Sequence, residues 1–319
     1  MRLIFAGLFA CLGAVPVQAQ PYPARPITMV IGFGKGTTAE IIGVVVAEVL
    51  SKNIGRPVKV ELKPGEGSGI AMELVEKAAP DGYTVGMITQ GTHVFNLSLY
   101  KTLRYNPNKI VPVTPIAAVT NVMTVHPSNP ARTPLDVVAA AKAAPGQSTY
   151  ASGGVGTSHH LSGALFAAMT GSDIKHVPHL ISVDGIKRIV SGEMTMGFFN
   201  LPTVIDEIRT GKLKPLAVTS LARSPHLPEL PTLDASGIKG YDMVTWFGFG
   251  VPAGTPPDIV QRLRDEVARA AADPAVQAKF KEAGLDTIGQ LQPAEFVKLI
   301  DADLAKWTPI IKAASSGTQ

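Results

Sequence analysis

TMVIGFGKGTTAEIIGVVVAEVL, residues 28–50, runs from an apolar segment through a turn with three glycines and a lysine into a long apolar segment. Pro26–Ile31 reads as a buried strand, and Thr37 and Thr38 stand where they can cap a helix from Ala39 to about Asn53. Such a turn points unpaired backbone N–H groups and the positive end of a helix dipole at whatever lies before it. That is a site for a phosphate or a carboxylate. Lys35 adds a full charge, and the threonine hydroxyls add donors. Neither nucleotide motif is complete. A P-loop needs Ser or Thr after Gly-Lys, and Gly36 follows Gly34-Lys35. The dinucleotide fingerprint starts at Gly32-Phe33-Gly34, but Thr37 takes the place of its third glycine.

Outward from this turn the pattern is strand, helix, strand, helix, strand. Val58–Leu62 and Tyr83–Ile88 read as strands, and Ile70–Ala79 as a helix after the glycine-rich KPGEGSG. This order predicts a parallel sheet with right-handed crossovers. The pattern then restarts. Thr133–Ala143 reads as a helix, Ser148–Ala151 as a strand and Leu161–Met169 as a helix, with the turn SGGVGTSHH between the last two. Val183–Ser191, Met194–Phe199, Val204–Arg209, Leu213–Thr219 and Trp246–Val251 alternate helix and strand, and helices close the chain. VIGFGKGTTAEII and YASGGVGTSHHLS are thus two strand–turn–helix units of one physical kind. Two such turns in two α/β halves favour ligand binding over simple tight connections. Trp307 reads as core packing, and Trp246 as part of a hinge or pocket wall.

Composition narrows the classes. The 319 residues carry a formal charge of +4 with basic residues scattered singly, which is no nucleic-acid footprint. MRLIFAGLFACLGAVPVQAQ, residues 1–20, reads as a signal peptide cleaved after Ala19. Cleavage removes Arg2 and Cys11, the single cysteine, and leaves a charge of +4 − 1 = +3. No later segment is long and apolar enough to span a bilayer. No histidine or carboxylate set has metal-ligand spacing, and no cofactor motif is present. His93, His126, His176 and His226 read as hydrogen-bonding loop residues.

Together YPARPITMVIGF, KPGEGSGIAMELVEKAAPDGYTVGM, HHLSGALFAAMTG, KHVPH and LPELPTLDASGIKGYDMVTWFGFGVPAGTPPDIV resemble the Bug (TctC-like) solute-binding proteins of tripartite tricarboxylate transporters. The resemblance covers Tyr22 to about Ala314. It implies a two-lobed periplasmic-binding-protein (Venus-flytrap) fold, each lobe a mainly parallel sheet flanked by helices. Lobe 1 would comprise residues 20–120 and 244–319, and lobe 2 residues 121–243, with the chain crossing near Ala118–Thr124 and Tyr241–Phe247. It implies a small organic carboxylate held between the two turns, delivery to transporter membrane subunits, a periplasmic location and a monomer. The implied contacts are Phe33, Gly34, Lys35, Gly36, Thr37 and Thr38 in the first turn, and Ser152, Gly154, Gly156, Thr157 and His159 in the second. Gln90, Gly91, Thr92, His179, Phe199 and Asn200 complete them. The chain departs from the family pattern at Lys35, at Glu40, and at His179-Leu180-Ile181. The last change makes one wall more apolar and suits a ligand with an apolar or aromatic body and one or two carboxylates. Two alternatives remain at this level. One is a ligand-sensing receptor for a signalling partner. The other is a secreted hydrolase using Ser152 or Ser158 with His159, against which stands the lack of a G-x-S-x-G elbow.

Overall fold

The computed structural model describes residues 22–288 and 291–316, so the predicted signal peptide lies outside the described residues. Strand β1 (Ile27–Ile31) leads into helix α1 (Thr38–Ile54), which returns to β2 (Val58–Leu62). Thr37 caps α1 by accepting from the Glu40 N–H, and Gly55 ends it in the left-handed conformation. Helix α2 (Gly69–Lys77) and strand β3 (Thr84–Thr89) complete a parallel unit in which β1 lies between β2 and β3. A π-helical turn over Gly91–Phe95 continues into the short helix α3 (Asn96–Leu99).

Strand β4 (Ile110–Val125) then spans both lobes in sixteen residues. Helix α4 (Pro134–Ala143), strand β5 (Ser148–Ser152), helix α5 (Ser158–Thr170), strand β6 (Ile174–Pro178), helix α6 (Ser182–Val190), strand β7 (Met196–Asn200), helix α7 (Leu201–Arg209) and strand β8 (Lys214–Val218) build the second lobe. There β5 pairs in parallel with β6 and β7. Strand β9 (Val244–Pro252) returns to the first lobe, followed by α8 (Pro257–Ala272), α9 (Pro274–Ala283), β10 (Asp286–Thr287) and α10 (Pro293–Ser316).

The sheets are mixed. β4 is antiparallel to β9 as far as Thr120, and from Asn121 onward it is antiparallel to β7 and, from Val122, to β8. A strand that crosses from one lobe to the other runs against the parallel set it joins. Only the second half of β4, near Ala118–Thr124, was expected from the sequence, because Pro112 and Pro115 interrupt the first half. The structure absorbs both where the β4–β9 register shifts, at Pro112/Thr114 and Pro115/Ala117. Thr219 ties the crossing together: its Oγ1 accepts from the Asn121 N–H at 2.9 Å and donates to the Met243 carbonyl at 2.7 Å.

α10 braces the back of the molecule. Trp307 packs edge-on against Phe95 at 5.2 Å, and Phe296 against Trp246 at 5.0 Å. Asp303 accepts from Gln90 Nε2 at 2.8 Å and from Trp246 Nε1 at 2.7 Å. Trp307 is therefore core, as expected, and Trp246 faces the brace, away from the cleft. Among the described residues no helix is long and apolar enough to cross a membrane.

Helix α5 approaches β5 closely enough that a Cβ on Gly163 would lie 2.2 Å from the Tyr150 ring. Gly163→Ala sets helix propensity, worth about 1 kcal/mol in favour of Ala, against overpacking that costs about 1–3 kcal/mol. We expect a net loss, read as a lower urea midpoint at unchanged slope. A stabilised variant would contradict this packing.

Candidate functional site

Four helices begin at one cavity between the lobes. Its wall includes Thr37, Thr38 and Ala39 at the start of α1, Thr157, Ser158 and His159 at the start of α5, Ile181 and Ser182 at α6, and Asn200 before α7. The two glycine turns are built alike. Thr37 Oγ1 donates to the Gly34 carbonyl at 2.7 Å, and Thr157 Oγ1 donates to the Gly154 carbonyl at 2.7 Å. Each threonine then caps its helix, and each is preceded by a glycine at positive φ, Gly36 at 76° and Gly156 at 84°. Gly34 and Gly156 are also where the lobes meet. A Cβ on Gly34 would sit 2.3 Å from Ile181, and one on Gly156 would sit 2.1 Å from Asn96.

Among the described residues the cavity has no lysine, arginine, aspartate or glutamate in its wall. Its remaining walls are Phe33, Gly34, Thr89, Gly91, Gly153, Gly156, Leu180, Thr245 and Phe247, with room for water of about 40 Å³. His159 is the one ionisable side chain among these described residues. Three buried side-chain atoms in that wall have no partner: Thr38 Oγ1, His159 Nδ1 and Ser182 Oγ. Buried polar atoms are ordinarily paired, so such a cluster marks a place for a polar guest. Outside it lies a second space of about 120 Å³. The two share Phe33, Gly153, Thr157 and Leu180. Ser68 Oγ and His179 Nδ1, both unpartnered, belong to residues of the outer space. Its floor includes Glu66 and Ser68, non-glycine residues at φ 50° and 75°.

His159 is held by an amide relay. Asn121 Nδ2 donates to Ser162 Oγ at 2.8 Å, and Asn200 Nδ2 donates to Asn121 Oδ1 at 2.5 Å. Asn200 Oδ1 is thereby turned to His159 Nε2, which donates to it at 3.1 Å. The Asn200 N–H also approaches Nε2, but at 3.4 Å it is the longer contact. With the proton on Nε2, Nδ1 is a bare acceptor in the cavity wall. The ring leans on Phe199, 5.0 Å between centroids.

Of the residues singled out from sequence, Phe33, Gly34, Thr37, Thr38, Gly91, Gly156, Thr157, His159 and Asn200 line this cavity. Lys35 and Gly36 are exposed and outside it, and the Gly36 N–H donates to Glu40 Oε2 at 2.5 Å. Gln90 is turned to Asp303, and Thr92 closes its own turn through Thr89. Gly154 and His179 line the outer space, and Phe199 lies beneath His159. Ser152 is wholly buried, accepts from the Gly154 N–H at 3.0 Å, and lies 2.6 Å from His176 Nε2. The pairing of Ser152 or Ser158 with His159 that the hydrolase alternative needs does not form, because His159 faces Asn200. Ala39, Thr89, Gly153, Ser182, Thr245 and Phe247 also line the cavity and were not among the residues singled out, and Ser158 was singled out only for that alternative. Ser182, directly before the helix read at Val183, was the one with a visible signal. Thr245 and Phe247 alternate along β9, and the intervening Trp246 faces α10.

The histidines also differ from the loop reading. His126 and His226 do bond in loops, to Ser128 and Asp286. His93, however, is buried in the π-helical turn, and His176 is on β6, stacked between Tyr150 at 4.8 Å and His160 at 4.3 Å. Burial pushes the pKa values of His93, His159 and His160 down to about 4 and that of His176 to about 3. Among the described residues no group of three or more His, Cys, Asp or Glu could hold a metal.

Residues 42–315 match the model of the tripartite tricarboxylate transporter family receptor. The chain belongs to that family. It is 32% identical to a protein from the tcbD–tcbE intergenic region of Pseudomonas sp. strain P51, over 97% of this chain and 93% of that one. To protein BugT of Bordetella pertussis it is 30% identical, over 94% of this chain and 92% of that one. Among solved structures, R. palustris Rpa4515 with adipate superposes with a TM-score of 0.89 at 32% identity, covering 92% of this chain and 98% of that one. As a tripartite tricarboxylate receptor the chain has a solute-binding site to account for. The inner cavity brings together three buried side-chain atoms without partners, Thr38 Oγ1, His159 Nδ1 and Ser182 Oγ, and the outer space adjoining it has two more, Ser68 Oγ and His179 Nδ1.

The buried histidines set a pH dependence. Their folded pKa values lie below the unfolded value of about 6.5, so the unfolded chain binds more protons as pH falls below about 6.5. Each costs up to about 1.4 kcal/mol per pH unit down to its folded value. The melting temperature of the ligand-free protein should fall steadily from pH 7 to pH 4.5. A flat profile over that window would contradict the burial.

Proposed function

We propose that this receptor captures a small organic dicarboxylate outside the cytoplasm, closes its lobes over it, and presents it to the membrane components of a tripartite transporter. One carboxylate would sit in the inner cavity, against the starts of α1, α5, α6 and α7. The observation that carries this reading is the convergence there of Thr38 Oγ1, Ser182 Oγ and His159 Nδ1, buried and unpartnered, in a wall without a carboxylate of its own. Helix N-termini supply partial positive charge and backbone donors, which favour an anion. Phe33, Leu180, Ile181 and Phe247 would cover an apolar body, and the outer space would take its far end. The adipate bound by Rpa4515 has this shape, two carboxylates on a flexible apolar chain.

The lobes would close by rotation about the β4–β9 crossing, with residues 121–243 moving against the rest. Binding would involve no bond making or breaking, and the receptor would act as a monomer. Ser152 supports this reading: it is sealed in its turn, and among the described residues no carboxylate hydrogen-bonds to His176.

The test is titration of the mature protein with adipate and its shorter and longer homologues, followed by melting temperature and by calorimetry. A ligand that binds the native state raises the melting point saturably. Thr38→Val and Ser182→Ala should each weaken binding about tenfold or more, the cost of an unmade buried hydrogen bond to a charged group. Lys35→Ala should leave affinity within about twofold. If Lys35→Ala abolished binding while Thr38→Val and Ser182→Ala bound normally, the inner cavity would not be the anion site.

A further inference from the structure

Among the described residues His159 is the cavity's single ionisable side chain, and as it is hydrogen-bonded it offers the wrong group to a carboxylate. Its Nε2 proton is committed to Asn200 Oδ1, and its Nδ1 presents a lone pair. The bare Nδ1 lies beside the backbone gap at Gly153: a Cβ there would be 3.2 Å from Nδ1 and 3.2 Å from the Ser182 nitrogen. A carboxylate oxygen beside that point would meet donors from Ser182 and repulsion from Nδ1, in a cavity whose wall also holds the unpartnered Thr38 hydroxyl.

We propose that the guest carboxylate and one proton bind together, the proton passing from solvent to Nδ1 of His159, which then donates it to the carboxylate. The inference rests on the carboxylate reading of the site. The step forms one N–H bond on the imidazole with a proton from water or buffer, and no other bond changes. His159 thereby becomes a specificity residue. It supplies the mobile cation that the walls lack, and it favours guests that bring an ionised carboxylate to this point over neutral isosteres such as amides.

The surroundings leave His159 free to respond. On its own helix, His160 stacks on His176, away from the cavity wall. From the loop after β6, His179 has its Nδ1 3.2 Å from where a Cβ on Gly185 would stand. On α6, Asp184 and Lys187 are 3.8 Å apart and exposed. On α1, Glu40 is turned back to the Gly36 N–H. β4 and β7 contribute the amides of Asn121 and Asn200. No carboxylate reaches the ring to charge it before a guest arrives. Burial holds it neutral, with a pKa of about 4. An opposite charge in contact raises an imidazole's pKa by roughly one to three units. Between the free and the bound value, affinity falls about tenfold per unit rise in pH, because only the complex holds the proton. Above the bound value it is flat.

The test is ¹⁵N NMR of the histidine-labelled mature protein titrated with adipate at pH 6.0, with His159→Asn to assign the signal. Calorimetry in two buffers of different ionisation enthalpy accompanies it. Expected are a move of the His159 Nδ1 resonance to its protonated position on saturation, and greater proton uptake by the native protein than by His159→Asn. The variant should bind at least tenfold more weakly at pH 6.0 and lose the pH slope beyond that of adipate's own ionisation. Saturable binding with His159 still neutral, and equal uptake by both proteins, would overturn the proposal and leave the carboxylate site standing. Failure of every α,ω-dicarboxylate from succinate to suberate to bind the native protein would overturn both.

Discussion

A negative charge in a closed cavity without a fixed cation must be met by dipoles and by whatever proton the site can recruit. The rest of this structure follows from that constraint. Four helices start at the cavity because parallel strands deliver them there: β1 feeds α1, β5 feeds α5, β6 leads to α6 and β7 to α7. In open α/β sheets the carboxyl ends of the strands are where ligands sit, and here two such edges face each other. On the proposed reading, hydroxyls would do the work that lysine or arginine does elsewhere. Thr37 and Thr157 are spent on capping, which leaves Thr38 and Ser182 with free hydroxyls.

The same constraint explains where the chain is tight and where it is loose. The lobes approach through backbone and glycine at Gly34 and Gly156, where any side chain would hold them apart. At the back they are joined by β4 and β9, with Thr219 binding Asn121 and Met243 on one side of the crossing and Asp303 binding Gln90 and Trp246 on the other. A hydrogen-bonded back and a glycine-lined front would confine the proposed guest's contacts to the edge at which the helices begin. The outer space, bounded by the strained turn at Glu66–Ser68, extends that edge to the surface.

Much of this was legible in the sequence. The two turns carry their own signature, glycine at the sharp bend and threonine at the cap, and both caps form where Thr37 and Thr157 predict them. The α/β character followed from alternating short strands and helices. Three things were not legible. The first half of the long β4 was hidden by Pro112 and Pro115, whose bulges only tertiary pairing reveals. Lys35 looked like the natural anion partner because charge is visible in sequence and direction is not. The turn carries it outward, and the cavity is lined by its uncharged neighbours. Ser182 and Gly153 reach the site from separate loops, so no local spacing announces their meeting. His159 was visible, but which of its nitrogens carries the proton is set by Asn121 and Asn200, far away in the chain.

The most direct measurement is a crystal structure of the mature protein grown with adipate. The account predicts one carboxylate in the inner cavity, within hydrogen-bond distance of Thr38 Oγ1, Ser182 Oγ and His159 Nδ1, with no lysine or arginine touching it. A carboxylate held by Lys35, or an inner cavity filled by the apolar chain with both carboxylates outside, would contradict it.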